Sequence, residues 1–355
     1  MRMTFLNEVP WFMEKSKAKA TRKDVAKKAG VAEETVSRIL NNSRQVSEKT
    51  VKKVMAAIKE LDYQPDMIAR SMVKKDMKQI AFVVDDILNP YYGELLYGFE
   101  NEAMEYGYFV SVCTGYQKFN EYINHFISRR YDGIYLSIIP SASNLQKISK
   151  LTQNNISVLL SGSTAYKDET ISHLNPDLKS GISEAVEYLY KCGHRKIAML
   201  NFFDDNYPYD VRTLCYKETI EKYIPDETPN IFTSPYTAYT PPLDMDAIKK
   251  LTYKLIDSGT EFSAVLCSSD IIAIGCMSAL RERGYRVPDD ISVVGIDDMI
   301  FSREMNPPLS SIGYDKVDFG RKAFKILLEH IKNGTTVDVS AKTNFISRES
   351  VKSIG

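Results

Sequence analysis

Apolar residues recur at helical spacing in three short stretches near the start of the chain, and in short unbroken runs thereafter. From Arg22 to Ala29, the residues Val25, Ala26 and Ala29 share one helical face, and Thr21 offers an N-cap. Gly30 ends that helix. A second begins at Glu33, with Val36, Ile39 and Leu40 at i, i+3 and i+4. A third opens on Ser47 as N-cap and carries Val51, Val54, Met55, Ile58 and Leu61 on one stripe. Two short helices joined by a glycine-containing turn, with a third packed behind, predict a helix-turn-helix unit. Between Pro65 and Lys78 one short helical signal, Met67–Val73, stands between a proline and a charged stretch, which reads as a linker.

From Gln79 onward the pattern changes. Apolar runs at Ile80–Val84, Phe109–Cys113, Gly133–Ser137, Ile156–Leu160, Ile197–Phe202, Ala264–Cys267 and Ile291–Ile296 alternate with amphipathic segments such as Glu94–Tyr106, Ser183–Tyr190 and Ile271–Arg283. That alternation predicts βαβ units and mainly parallel sheets covered on both faces. The spacing stretches across 203–262 and then resumes, which suggests two doubly wound subdomains with a cleft between them. Ligands in such sheets bind at the carboxyl ends of the strands. Those ends are polar or aromatic here: Asp85, Asp86, Asn89, Tyr91 and Tyr92 after the first, Ser161-Gly162-Ser163 after the fourth, Ser268-Ser269-Asp270 after the sixth and Asp297-Asp298 after the seventh.

Composition sharpens the division. The 355 residues carry 46 basic and 46 acidic side chains, a net charge of zero. Lys15 to Lys75 holds 16 basic and 7 acidic residues, a net of +9, so the remainder holds 30 and 39, a net of −9. Such asymmetry points to nucleic acid or another anionic surface as the partner of the first part. The five cysteines are odd in number, widely spread and without metal-ligand spacing, as expected of buried thiols in a reducing cytosol. Residues 1–12 are too short and too mixed for a signal peptide, and no apolar run approaches the 18 or so residues of a membrane span. A cytoplasmic protein with no membrane partner is expected, with residues 1–18 as an N-terminal extension and Met13 as an alternative start.

The residues also carry a specific resemblance. Thr21-Arg22-Lys23-Asp24-Val25-Ala26-Lys27-Lys28-Ala29-Gly30-Val31 followed by Thr35-Val36-Ser37-Arg38-Ile39-Leu40-Asn41 resembles the headpiece of the lactose-repressor (LacI/GalR) family. Val46-Ser47-Glu48-Lys49-Thr50, Leu61-Asp62-Tyr63-Gln64-Pro65 and Ile68-Ala69-Arg70-Ser71 continue it. Farther on come Asn89-Pro90-Tyr91-Tyr92, Gly193-His194-Arg195-Lys196-Ile197, Val287 through Asp298, Pro307 through Ile312, and Arg348-Glu349-Ser350. The match runs in order from about 19 to 350. It implies an α helix-turn-helix headpiece at 19–65, a hinge helix at 66–78 and an α/β, periplasmic-binding-protein-like core of two doubly wound parallel-sheet subdomains at 79–355. The first subdomain is expected at about 79–172 and 314–336, and the second at about 173–313 and 337–355.

By this resemblance Glu33, Glu34 and Arg38 face base edges in the major groove, with Thr35 beside them on the same helix. Arg38 suits guanine O6 and N7, and either glutamate suits cytosine N4. Thr21, Ser37, Asn41, Ser47, Thr50 and Tyr63 match positions that contact phosphates, where short donors fix register without reading sequence. Ala32 stands where a capping serine is usual, and Glu33 and Glu34 where neutral residues are frequent, so the operator should differ from the common half-site. In the hinge, Ala69, Arg70 and Met72 match DNA-contacting positions, Met72 being the apolar wedge of a minor-groove step.

In the core the resemblance implies a small-molecule effector held by Tyr91, Tyr92, Ser161, Arg212, Tyr236, Ser269 and Asp297. Stacking walls with Arg and Asp forks fit a polyhydroxylated ring. Ser161 and Ser269 replace a frequent aspartate and asparagine, making the site less acidic than a typical sugar site. Mutual pairing of Arg212 with Asp297 is the plainer alternative for those two. GxGxxG, GxxxxGK, HExxH and GxSxG are absent, no cofactor is implied, and the four histidines are scattered, with His194 structural at a turn. The expectation is a non-enzymatic repressor, a homodimer on pseudo-palindromic operator DNA, released by a carbohydrate. No heptad tail follows Ser350, so a tail-mediated tetramer is not expected. A corepressor-type regulator answering to a purine or a partner protein is the alternative, and a small-molecule binding protein or enzyme a more distant one.

Overall fold

The computed structural model describes residues 20–40, 46–64, 77–115, 118–137, 142–162, 164–202, 210–233 and 244–355. The N-terminal extension, Asn41, the hinge residues Ala69, Arg70 and Met72, Ser163 and Tyr236 lie outside them. The chain forms two compact units, 1–77 and 78–355.

In the first unit α1 spans Arg22–Ala29, α2 Glu33–Leu40 and α3 Glu48–Glu60. Thr21 caps α1 in a capping box: its hydroxyl oxygen accepts from the Asp24 amide, and the Asp24 carboxylate accepts from the Thr21 amide at 2.8 Å. Gly30 closes α1 in the left-handed region at φ 67°, where a glycine meets no Cβ penalty. Ser47 caps α3 by accepting from the Thr50 amide. Val25, Ala26, Ala29, Val36, Val54 and Ala57 are buried together as the core of this unit.

The second unit opens with β1 (Gln79–Val84), α4 (Tyr91–Glu105), β2 (Phe109–Thr114), α5 (Phe119–Ser128), β3 (Gly133–Ser137), α6 (Ala142–Gln153), β4 (Ser157–Ser161) and β5 (Ser172–Pro176). It continues with α7 (Leu178–Lys191), β6 (Ile197–Asn201), α8 (Val211–Tyr223), β7 (Asn230–Thr233), α9 (Met245–Asp257), β8 (Ala264–Cys267), α10 (Asp270–Glu282), β9 (Ser292–Asp297), α11 (Ile300–Arg303) and β10 (Ser310–Gly313). Last come α12 (Lys316–Asn333), β11 (Asp338–Ala341) and β12 (Asn344–Ile346). The strands make two six-stranded sheets, ordered β11-β5-β4-β3-β1-β2 and β12-β10-β9-β8-β6-β7. Every pairing is parallel except that of β12 with β10.

Each sheet is buried on both faces, as its near-continuous apolar strands require. One face of the first sheet buries Phe82, Tyr135 and Leu159 against α4 and α12, and the other buries Ala81, Ile134 and Leu160 against α5 and α6. The second sheet is covered in the same way by α9 and α10 on one side and α7 and α8 on the other.

Two of the three crossovers between the subdomains lie a few residues beyond the bounds that the resemblance implies, while β10 ends at Gly313, just before the expected return at about 314. Strand β5 runs to Pro176 and pairs with β4, and β11 pairs with β5. The first sheet therefore takes residues to Pro176 and again to Ala341, rather than to 172 and 336. The segments Ser-His-Leu-Asn-Pro and Asp-Val-Ser-Ala carry no apolar run, and β11 is an exposed edge strand, where such composition is normal. His194 is buried between Ser263 Oγ (2.8 Å) and the Lys352 carbonyl (3.0 Å), a turn anchor as expected.

Candidate DNA interface and ligand cleft

Helix α2 has no side-chain cap at Ala32. The Ala32 carbonyl accepts from the Thr35 and Val36 amides, and two acidic residues occupy the first turn, where the helix dipole favours them. Glu33, Glu34 and Arg38 are exposed, and Thr35 and Ser37 are half-buried. The Arg38 guanidinium donates to Glu34 at 2.8 Å, one turn apart, and Arg22 approaches Glu33 at 3.9 Å. Each glutamate of α2 thus stands beside a cation. Arg22, at the start of α1, was not among the expected interface residues; its sole signal is that α1 and α2 pack closely. Thr21 and Ser47 are engaged as caps, Thr50 donates its amide to Ser47 with the two hydroxyls 2.9 Å apart, and Tyr63 packs partly buried against the core.

In the core, Tyr91 is the first residue of α4 and packs against the apolar clusters of both subdomains. Its hydroxyl lies 2.5 Å from that of Tyr314, which follows β10. Tyr92 goes elsewhere: it is buried in the first subdomain, edge-on to Tyr91 at 5.0 Å, with its hydroxyl donating to the Ser137 carbonyl at 3.5 Å. It supports the wall rather than forming it. Ser269 is the N-cap of α10, its hydroxyl accepting from the Ile272 amide.

Arg212, in the first turn of α8, donates through Nε to Asp210 at 3.0 Å and through Nη1 to the Ser268 carbonyl at 3.1 Å. The carboxylate that fixes it is therefore Asp210, the N-cap of the same helix, and not Asp297. Asp210 also accepts from Asn201 and from the Thr213 amide and hydroxyl. Burial opposes its ionisation, but the charge of Arg212 and these hydrogen bonds outweigh burial and hold the carboxyl below its ordinary range. Asp210 also forms an antiparallel bridge to Thr164 across the cleft.

Asp297 ends β9 at φ 115° and Asp298 follows at φ 45°, so two consecutive side-chain-bearing residues occupy backbone regions that glycine prefers. Burial first, then the neighbouring Asp270 carboxylate, push the Asp297 carboxyl up to about 8, against the pull of Arg212 and Lys316. At neutral pH it is mostly an acid that both donates and accepts. Burial likewise raises the phenols of Tyr91 and Tyr314, and takes that of Tyr135 to about 12. Among the described residues, the buried hydroxyls of Tyr135, Ser161 and Ser268 make no hydrogen bond of good geometry, although Ser161 and Ser137 stand near enough to the Tyr135 phenol to draw it down against burial. Ser161 ends β4, Ser268 follows β8, and Tyr135 lies close enough to Tyr91 and Tyr314 to raise their phenols. These hydroxyls belong to the carboxyl-end side of the two sheets.

Tyr135, Asp210, Tyr314 and Lys316 were not expected here, whereas Ser268 lies at one of the strand ends where a site was expected. Asp210 has a legible signal, an aspartate at the N-cap of an arginine-bearing helix, whereas Tyr135 sits inside an apolar run that reads as core. No group of three or more metal-ligating side chains occurs among the described residues, and no described helix is long and apolar enough to cross a membrane.

The raised Asp297 has a stability consequence. An unfolded aspartate titrates near about 3.9, so between that value and about 8 the folded chain binds this proton more tightly. The stability gained is full below about pH 4 and is lost as pH rises through about 8. Melting temperatures between pH 5 and 9 should therefore fall less steeply for Asp297→Asn, which tolerates the same backbone, than for the parent. Equal slopes would mean that the carboxyl is not held protonated.

A helix-turn-helix unit together with a two-lobed α/β core, with polar side chains converging between the lobes, defines a DNA-binding regulator that answers to a small molecule. Residues 21–66 match the model of the lacI family of bacterial regulatory proteins, and residues 186–351 that of the periplasmic binding protein-like domain. Over 320 residues, 88% of this chain and 92% of the relative, the chain is 32% identical to the HTH-type transcriptional repressor PurR of Vibrio atlanticus (strain LGP32). Among solved structures it is similar to the transcriptional regulator CelR in complex with cellobiose, at 26% identity and a TM-score of 0.68, covering 93% of this chain and 99% of that one. It shares the fold of the Lac repressor bound to ONPG, at 24% identity and a TM-score of 0.80, covering 94% and 99%. The chain belongs to the lacI family of bacterial transcription regulators.

Proposed function

We propose that this regulator is a repressor whose cleft takes a neutral, hydroxyl-rich ligand of the carbohydrate class, and whose grip on operator DNA weakens when the cleft fills. The observation that carries the ligand class is the set of buried hydroxyls of Tyr135, Ser161 and Ser268, none in a well-formed hydrogen bond, beside Arg212 and Asp297, whose carboxyl burial pushes up. Buried hydroxyls without partners cost about 1–3 kcal/mol each, and a polyol supplies donors and acceptors together. The cellobiose complex of CelR is in keeping with this reading. Similarity to PurR repressors favours a second one, a purine that strengthens DNA binding.

A thermal-shift panel of cellobiose, ribose, glucose, hypoxanthine and guanine separates the two. Stabilisation by a sugar supports the first reading. Stabilisation by the purines alone, with tighter operator binding in a mobility shift, replaces it with the second.

On the DNA side the dimer would set two α2 helices into successive major grooves of a pseudo-palindromic operator, with Thr21, Ser37, Asn41, Ser47, Thr50 and Tyr63 on phosphates and Ala69, Arg70 and Met72 in the minor groove. Arg38 takes guanine, and Glu34, already paired with it, takes the cytosine N4 of a neighbouring pair. In a binding-site selection, Glu34→Ala should relax the preference at that one base pair by about 1–3 kcal/mol and leave the rest of the half-site unchanged. An unaltered selected sequence would show that Glu34 reads no base.

A further inference from the structure

Lys316 is the first residue of α12, a helix that packs on the first sheet, yet its ammonium ends among atoms of the second subdomain. The side chain is 2% exposed. Its Nζ donates to the carbonyl oxygen of Asp297 at 2.8 Å and of Asp298 at 2.9 Å, and it lies 3.6 Å from Glu94 of α4. A buried ammonium needs such partners, and charge-assisted bonds to carbonyls are the stronger kind. The turn it grips is strained at two successive residues, and strain of that sort persists where surrounding contacts over-determine it. On its own side the turn is held by Ser311, whose hydroxyl oxygen accepts from the Asp298 amide at 3.0 Å, and by Arg348, which pairs with the Asp298 carboxylate.

The other end of Lys316 is equally fixed. Helix α12 meets α4 backbone to backbone: a Cβ at Gly98 would overlap the Val317 carbonyl, and one at Gly320 the Leu95 carbonyl. Two helices in such contact move as one body. That body begins, at the cleft, with Tyr91. Asp297 stands on one wall of the cleft and Tyr91 on the other, and Lys316 is a direct polar connection between the segments that bear them.

We propose that Lys316 is a positioning residue that latches the subdomains together, tying the Asp297–Asp298 turn to the α4–α12 block so that the two walls of the cleft open and close as one unit. The Asp297 side chain stays available to a ligand while its carbonyl is held by the other subdomain. A ligand that draws the carboxyl inward then acts on α12, and through it on α4, by way of Lys316 as well as by any contact with Tyr91. The regulatory meaning rests on the proposed effector cleft, but the latch itself is a property of the ligand-free chain and is tested there.

The test is native-state hydrogen exchange on the full chain without ligand. In the parent at low urea, the amides of residues 91–95 and 297–299 should share one opening free energy and one urea dependence. Lys316→Gln and the volume-matched Lys316→Met should raise exchange in both segments together by about tenfold, the loss expected for about 1.4 kcal/mol of charge-assisted bonding. Ser311→Ala loosens the same turn from its own side and should speed exchange at 297–299 alone. A lysine serving merely local structure would give the Ser311→Ala pattern in the Lys316 variants as well. That outcome, or independent opening of the two segments in the parent, overturns the latch. A ligand panel without any stabilising compound overturns the effector reading and leaves the exchange result standing.

Discussion

Arg212→Ala should lower the melting temperature of the core by about 10 °C and abolish the thermal response to the ligand in the same protein. The first effect comes from Asp210, which is 2% exposed and paired with Arg212. Removing one partner of a buried pair leaves an uncompensated charge and costs about 3–5 kcal/mol, and in a unit this large each kcal/mol is worth about 2–4 °C. The bonds from Asn201 and Thr213 remain and place the loss at the lower end of that range. The second effect comes from position, because the guanidinium is close enough to Tyr91 and Asp297 to shift both. Asp210→Asn combined with Arg212→Ala separates them. The double variant removes the stranded charge, so it should recover stability but not the response. A single Arg212→Ala variant that still responds to the ligand would remove Arg212 from the binding site.

The double role of Arg212 also shows where sequence reading reaches its limit. Arg212 is marked as a ligand group only by its match to the family, with pairing to Asp297 as the plainer alternative. The carboxylate that holds it lies two residues upstream, where capping chemistry places an aspartate against its own helix. Elements with strong periodicity were legible almost to the residue: α1 and its Thr21 cap, β3 and β8, and the glycine turn into α2. Strands β5, β7, β10, β11 and β12 were not, because each is only three to five residues long and interrupted by polar residues, so tertiary pairing supplies what propensity lacks.

In the cleft, Tyr91 and Tyr92 read alike in the sequence. They part in space because successive helical residues lie about 100° apart, which sends one to the cleft and the other into the core. Tyr314 and Lys316 were invisible for a different reason. They belong to the second of three crossovers between the subdomains, and only the folded chain brings that crossover back to α4.

That return is also a backbone-to-backbone packing contact in the core. Gly98→Ala should destabilise it by about 3 kcal/mol or more, although alanine is the better helix former by about 1 kcal/mol. The new methyl would meet the backbone carbonyl of Val317, which has no rotamer to yield, and the α4–α12 pair would have to separate. Gly93, five residues earlier on the same helix, is exposed and has nothing within 4 Å of an added Cβ, so Gly93→Ala should stabilise the core by about 0.5–1 kcal/mol. Urea denaturation of the two variants side by side isolates packing from propensity, since both make the same change in the same helix. Effects of the same sign would show that helix propensity, not backbone contact, governs Gly98. The separation has a second consequence. Lys316 stands one residue before Val317, so a displaced α12 would also draw the ammonium away from the Asp297 and Asp298 carbonyls. Gly98→Ala should therefore speed amide exchange at 297–299, in the opposite subdomain from the substitution, while Gly93→Ala leaves it unchanged.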